Sequence, residues 1–282
     1  MRRRRMATLL GTVGLALSLT APTAAGAQSP GAPQGSRYDH VVQRDDPVGY
    51  WPQQADSGRM VRDLTRRSPD GIVHGSPRVE TMPNGDKTLV FDGDEDYVEI
   101  ADADTLSTAT TGEITVEAWL RPDVLTFRKT RSSGYVHWMG KGEDGRHEWV
   151  SRIYSADNTV GRENRISGYQ FNLDGGLGAG SYYQEPLVPG QWLHYVLVVN
   201  ANHSSEDYPA GYTKLYIDGE LSDQDSLIYD GTEMVPGNGT APMRIGTRQL
   251  ETFFEGAIGK VALYDHELTP ADVVRHYDAM HS

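Results

Sequence analysis

Residues 190–221 constrain the fold more than any other stretch. They read GQWLHYVLVVN, a polar insert, then GYTKLYIDGEL. In the first half, Trp192, His194, Val196 and Val198 fall on one face of a strand. Leu193, Tyr195, Leu197 and Val199 fall on the other. Both faces are largely apolar, so the strand is expected inside a sheet that is covered on both sides. In the second half, Tyr212, Lys214 and Tyr216 alternate with Thr213, Leu215 and Ile217. This strand stops at Asp218-Gly219, a dipeptide suited to the positive φ angles of a tight hairpin turn. The polar insert at residues 201–210 reads as a solvated loop between the paired strands.

Further short strands follow the same logic. Ile114, Val116, Ala118 and Leu120 share one face, and Glu113, Thr115, Glu117 and Trp119 the other. Extended segments are expected at residues 48–51, 71–74, 87–91, 97–100, 135–141, 147–154, 165–173, 242–246 and 253–264, and a glycine-dense turn at 175–180. Residues 221–238 read as loop. At the C-terminus, Thr269 is a helix N-cap with Pro270 in the first helical position and Asp272 near the positive end of the dipole. Val273, Val274 and Tyr277 would lay an apolar stripe on the sandwich. Many short strands separated by turns predict an antiparallel two-sheet sandwich. Of the 282 residues, 38% are hydrophobic, enough for one large core of this kind.

In the same order along the chain, Val48-Gly49-Tyr50-Trp51, Leu89-Val90-Phe91-Asp92-Gly93 with Asp96-Tyr97-Val98-Glu99-Ile100, Ile114-Thr115-Val116-Glu117-Ala118-Trp119-Leu120, Gln191-Trp192-Leu193-His194 with Leu215-Tyr216-Ile217-Asp218-Gly219, and Phe254-Glu255-Gly256-Ala257-Ile258-Gly259-Lys260-Val261 recur as a set. The set resembles the laminin-G-like jelly-roll (LamG-like) domains of the concanavalin A-like lectin/glucanase superfamily. The resemblance implies an all-β, antiparallel two-sheet jelly roll with a short C-terminal helix. It also implies that the strand near Tyr50 pairs with the closing strand near Val261. It does not choose an activity, because this fold carries lectins, adhesion modules, hydrolases and lyases.

The N-terminus has the pattern of an export signal. Arg2 to Arg5 form a basic region, an apolar run spans residues 9–19, and Ala25-Gly26-Ala27 offers a small-residue cleavage site. The expected organisation is a signal peptide at 1–27, a flexible leader at 28–36 and a LamG-like domain at 37–282. The expected location is secreted and extracellular. No other stretch is long and apolar enough for a membrane span. The chain has no cysteine, which excludes disulfides and thiolate chemistry. Its net charge of -13 argues against nucleic acid as a partner, since phosphate contacts need clustered Lys and Arg.

The candidate sites are few. Asp92, Asp94 and Asp96 alternate as calcium ligands can, and otherwise form an acidic hairpin turn in water. Laminin-G-like relatives often hold a structural calcium partly through an acidic pair in the closing strand, where this chain has Gly259-Lys260. A glucanase would need paired carboxylates on one strand face. Glucanases of the family it resembles share an E-x-D-x-E run, and the nearest run, Glu95-Asp96-Tyr97-Val98-Glu99, has Tyr97 in the central place, while Glu113 and Glu117 read as solvated positions. A lyase would need a Tyr or His base, an Arg and an amide. Arg165, Gln170, Tyr183 and Gln184 supply the types but crowd one hairpin. His194 reads as a hydrogen-bonded core histidine, and Trp119 and Trp192 as core.

Sugar binding needs aromatic faces beside planar polar groups. Along residues 147–154, Trp149, Ser151 and Ile153 share one face, while Val150, Arg152 and Tyr154 share the other. An arginine resists unpaired burial, so its face is expected to be the open one. The candidate saccharide site is therefore Arg152, Tyr154 and Asp174 with Tyr182 or Tyr183. These residues otherwise line an unoccupied solvated sheet. Two functions follow: a carbohydrate-binding or adhesion-type module without catalysis of its own, or a glycan-active hydrolase or lyase.

Overall fold

The computed structural model describes residues 35–55 and 59–282 of the chain. The signal segment at 1–27 and most of the leader at 28–36 lie outside the described residues. Gly35 and Ser36 are described, and Ser36 caps a helix, α1 (Arg37–Arg44).

Two eight-stranded antiparallel sheets face each other. The first runs in the order β14 (Glu220–Ser226), β13 (Tyr212–Ile217), β12 (Leu193–Asn200), β7 (Glu113–Pro122), β18 (Glu255–Tyr264), β5 (Lys87–Asp92) and β4 (Arg78–Thr81). Strand β1 (Gly49–Trp51) also pairs with β18, with Tyr50 opposite Ala262 and Trp51 opposite Val261 as expected. The second sheet runs β11 (Gly175–Tyr182), β10 (Ile166–Asn172), β9 (Arg146–Tyr154), β8 (Tyr135–Glu143), β17 (Met243–Ile245), β6 (Tyr97–Ile100), β3 (Gly71–His74) and β2 (Met60–Val61). A separate hairpin joins β15 (Ile228–Tyr229) to β16 (Thr232–Glu233). Among the described residues, no helix is long and apolar enough to cross a membrane.

Strand β12 is buried along its whole length, between β13 and β7. Leu193, Tyr195, Leu197 and Val199 enter the core between the sheets with Trp138, Trp149 and Phe91. Val196 and Val198 point the other way, into a second apolar layer with Trp119, Tyr216 and Tyr264. Asp218 and Gly219 take φ values of 51° and 85°, the turn geometry that their sequence suggests. Strand β14, expected as loop, is polar because it is the sheet's edge strand and needs no buried face.

The second apolar layer lies under α1 and a C-terminal helix, α2 (Pro270–Met280). Helix α2 begins with the expected Thr269 cap, completed as a capping box by Asp272. Its buried stripe differs from expectation. Val274 is 45% exposed, and His276 is buried instead. The reason is a polar partner below. Glu117, expected in solvent, is fully buried on β7 and is bonded from four sides. Tyr38, Tyr264, His194 and His276 reach its carboxylate at 2.6, 2.9, 2.8 and 2.9 Å. His194 is thus the bonded interior histidine that the sequence suggests. Glu113 is partly buried and accepts the Glu267 backbone N–H at 3.0 Å. Trp119 is buried in this helix-covered layer rather than between the sheets, and Trp192 is only partly buried beside it.

Helix α1 was not anticipated. Its signal is the capping box Ser36/Asp39 followed by Tyr38 and Val42, both buried. The two helices close the outer face of the first sheet. Among the described residues no helix covers the outer face of the second sheet, and the candidate site lies there.

Candidate functional site

On β9 the alternation falls as predicted from sequence. Trp149 and Ile153 enter the core, and Val150, Arg152 and Tyr154 face outward. Across the ladder, Tyr169 of β10 lies opposite Val150, and Arg152 lies opposite both Ser167 of β10 and His137 of β8. Tyr135, Tyr169 and Tyr182 project from the neighbouring strands toward the same place. Together they line a cavity of about 340 Å³. That is at the small end of the range for small-molecule sites, about 300–1,000 Å³. Leu177 and Tyr229 at its rim are 43% and 55% exposed.

The cavity depends on the glycines of β11. Residues 175–180 were expected as a turn but continue as strand, and the reversal is at Leu173 and Asp174. Gly178 and Gly180 pair with Phe171 and Tyr169. A Cβ on Gly180 would stand 2.0 Å from the Gly168 carbonyl oxygen and 2.6 Å from the Tyr169 ring. The missing side chains let both rings lie against the sheet as the floor of the cavity.

A second arginine comes from the loop at 155–164. The buried Asn158 side chain holds this loop in place. It donates to the Ser133 carbonyl at 2.7 Å and accepts from the Val160 and Arg162 N–H groups, both at 3.1 Å. Arg162 then donates to the Tyr154 and Tyr169 hydroxyls at 3.1 and 3.0 Å, and its guanidinium lies 4.4 Å from the Tyr182 ring centre. Arg152 lies over Tyr135 at 4.0 Å and Tyr169 at 4.7 Å, and donates to His137 Nε2 at 3.3 Å. Cation–π contacts of this kind contribute about 0.5–2 kcal/mol each and hold the guanidiniums in fixed planes.

The partners of both arginines are neutral. Among the described residues, neither Arg152 nor Arg162 forms an ion pair with a carboxylate; their contacts are rings, hydroxyls and an imidazole. The acid on the cavity wall is Asp225, whose pKa burial raises. Burial also pushes the Tyr154 phenol up, but the Arg152 charge, the hydrogen bonds from Tyr169 and Arg152, and the Arg162 charge outweigh it. The net shift of Tyr154 is downward. Burial and the neighbouring Tyr154 push Tyr169 upward. The result is a tyrosine-walled cavity with positive charge held ready for an anion or for several hydroxyls.

Of the residues named from sequence, Arg152, Tyr154 and Tyr182 are brought together here. Asp174 is not: it sits at the strand-tip turn, 90% exposed and 3.9 Å from Arg146. Tyr183 packs against the main core rather than the cavity. Arg162 was missed because it lies in an irregular loop without periodicity; the Asn158 cap was the available signal. The four residues weighed for a lyase do not converge. Gln170 is buried, donating to the Glu148 carbonyl, while Gln184 is exposed. Glu99 pairs with Arg244 at 2.8 Å.

The acidic turn has other partners than a metal. Asp92 Oδ1 accepts the N–H groups of Asp94, Glu95 and Asp96 at 2.9, 3.1 and 3.2 Å. Asp96 is buried and accepts the Ser76 N–H at 2.6 Å, and Asp94 pairs with Lys129. Among the described residues, no three His, Cys, Asp or Glu side chains converge as a metal cage. As placed, the three carboxylates are engaged by backbone N–H groups and by Lys129. In the closing strand, the Lys260 ammonium bridges Asp39 and Asp86 at 2.6 Å each.

Two facing antiparallel sheets with an open outer face define a concanavalin A-like sandwich. The laminin-G family model described as "Concanavalin A-like lectin/glucanases superfamily" matches residues 92–274, and the chain belongs to that family. Solved structures agree on the fold. Domain 4 of AbnA, a GH43 extracellular arabinanase from Geobacillus stearothermophilus in complex with arabinotriose, is 15% identical with a TM-score of 0.56, over 82% of this chain and 98% of that one. The binding domain of botulinum neurotoxin DC in complex with rat synaptotagmin II is 11% identical with a TM-score of 0.60, over 85% of this chain. The botulinum neurotoxin serotype D ligand-binding domain in complex with N-acetylneuraminic acid is 14% identical with a TM-score of 0.59, over 86% of this chain. The chain spans about half of each neurotoxin domain, 52%. No curated protein matches the sequence.

Proposed function

We propose that the protein is a secreted carbohydrate-binding LamG-like module, and that the Arg152–Arg162 cavity holds an acidic sugar. The observation that carries this reading is the pair of guanidiniums that, among the described residues, form no ion pair with a carboxylate, set among four tyrosines on the second sheet's outer face. A sugar carboxylate takes the arginine fork, and the tyrosine faces take the apolar side of the ring. One structural neighbour, matched over 98% of its own length and solved with arabinotriose, supports a saccharide on this scaffold. Export rests on the signal-like pattern of residues 1–27. A glycan array with wild type and Arg152→Ala tests the reading. Acidic glycans should bind wild type and lose about 1.5–3 kcal/mol in the variant, the worth of a charged hydrogen bond. Binding of neutral glycans only, or equal binding by both proteins, would overturn it.

A second reading is favoured by Tyr154. A phenol hydrogen-bonded to two arginines, with its pKa drawn down, is placed to take a proton from the carbon beside a uronate carboxylate. In that case the chain is a glycan-active enzyme of the lyase type. Ultraviolet-absorbing unsaturated products from a uronate polymer, lost in Tyr154→Phe, would establish it. Unchanged polymer after prolonged incubation would leave binding alone.

A further inference from the structure

A second recess of about 130 Å³ adjoins the tyrosine cavity and shares Tyr135, Arg152, Phe171 and Gly176 with it. Arg248 forms its inner wall. The Arg248 side chain is fully buried, yet among the described residues no carboxylate pairs with it. Its guanidinium donates to His147 Nδ1 and Gln249 Oε1 and lies 3.2 Å from His137 Nδ1. Burial, then the charges of Arg152 and Arg131, draw its pKa down to about 9, so it remains a cation at neutral pH. Burial and the Arg248 charge draw His147 down to about 4, and burial with Arg152 and Arg248 draws His137 well below its usual value. Both imidazoles are therefore neutral and supply no counter-charge. The acid at this recess is Asp144, 58% exposed and held by Arg131 at 2.8 Å. Taking an ion out of water is costly, and a well-placed opposite charge offsets that cost. Among the described residues Arg248 pairs with no carboxylate, the charge of Asp144 reaching it only at a distance, while Arg152 beside it adds a second positive charge.

We infer that this recess is a second anion subsite, and that the ligand is an acidic polysaccharide bearing a carboxylate or sulfate on successive sugar residues. The inference rests on the acidic-sugar reading of the main cavity and names the ligand class for it. One charged group sits with Arg162 among the tyrosines. The next sits against Arg248, and Arg152 lies between the two. A chain of like charges then neutralises a basic groove in a protein whose net charge is otherwise -13.

Calorimetric titration of the full chain tests this, with mono- and trisaccharides of galacturonate, glucuronate and mannuronate and with a sulfated galactose and a sulfated galactan oligosaccharide that carry no carboxylate. The uronate and sulfate arms distinguish the two anion chemistries. The oligomer of the preferred series should bind roughly tenfold tighter than its monosaccharide, the size of one added charged hydrogen bond. Arg248→Met should remove that gain and leave monosaccharide affinity unchanged. Asp144→Asn removes the one opposing charge from the recess and should tighten the oligomer alone. A misfolded protein would not bind tighter, so this second variant carries the test if Arg248→Met does not fold. Oligomers no tighter than monosaccharides, equal losses for both in Arg248→Met, or no gain in Asp144→Asn would overturn the second subsite while the main cavity stands. Failure of every acidic sugar to bind would remove both.

Discussion

Glu117 and His276 meet at 2.9 Å beneath helix α2, with neither side chain reaching solvent. The imidazole's other nitrogen bonds Asp45 at 2.6 Å, at the end of helix α1. One histidine therefore ties both helices to the sheet. Burial alone would lower its pKa, but the Glu117 charge and the bonds to Glu117 and Asp45 raise it to about 9. Burial would raise Glu117, but His276 and His194 hold it well below the usual carboxylate range.

The pH dependence of stability follows from these directions. The folded pKa of His276 lies above its unfolded value, so its contribution is complete below about 6.5 and is lost as pH rises toward about 9. The folded pKa of Glu117 is depressed, so its contribution is present above about 4.5 and is lost as pH falls through the lowered value. Melting temperature should peak between about pH 5 and 7 and decline toward pH 9. In His276→Gln the decline between pH 7 and 9 should shrink. An unchanged alkaline slope in that variant would show that another group is responsible.

Removing the latch itself should be costly. His276→Ala leaves the buried Glu117 with one fewer partner and should destabilise by about 3–5 kcal/mol in chemical denaturation. Deleting residues 269–282 uncovers Trp119, which stacks on Tyr277 at 5.8 Å. The melting temperature should fall and binding of a hydrophobic dye should rise. Wild-type stability in either variant would mean that the helices merely rest on the sheet.

The acidic turn is predicted to be metal-independent. Asp92 and Asp96 are engaged by backbone N–H groups, and Asp94 by Lys129. Melting temperatures in chelator and in millimolar calcium should coincide. A calcium-dependent rise, lost in Asp92→Asn, would show a bound ion stabilising the folded state.

The glycine strand is predicted to be intolerant of side chains. Gly180→Val would press on the Gly168 carbonyl and the Tyr169 ring. It should cost about 1–3 kcal/mol of stability and also weaken glycan binding by displacing the cavity floor. Gly175→Ala, where no atom lies within 4 Å of the added carbon, serves as the control and should be neutral. Equal behaviour of the two would refute the role given to Gly180.

The sandwich was legible in sequence because period-two alternation and the Asp218-Gly219 turn are local signals that burial enforces. Arg152 and Tyr154 were legible for the same reason: alternation sets them on the face opposite Trp149 and Ile153, and an arginine resists unpaired burial. Glu117 was misread because a strand pattern cannot show that a histidine from the last helix will meet it 159 positions later. Arg162 lay hidden in a loop that one buried asparagine folds. Asp174 was placed beside Tyr182 by sequence proximity, whereas the reversal at residues 173 and 174 puts it at the strand tip.

The most direct test of the account compares one acidic oligosaccharide with its carboxyl-reduced, neutral counterpart by calorimetry on wild type and Arg162→Ala. If Arg152 and Arg162 await a carboxylate, wild type should bind the acidic form at least about tenfold tighter, and the variant should lose most of that preference. Equal affinity for the charged and neutral forms would contradict the account.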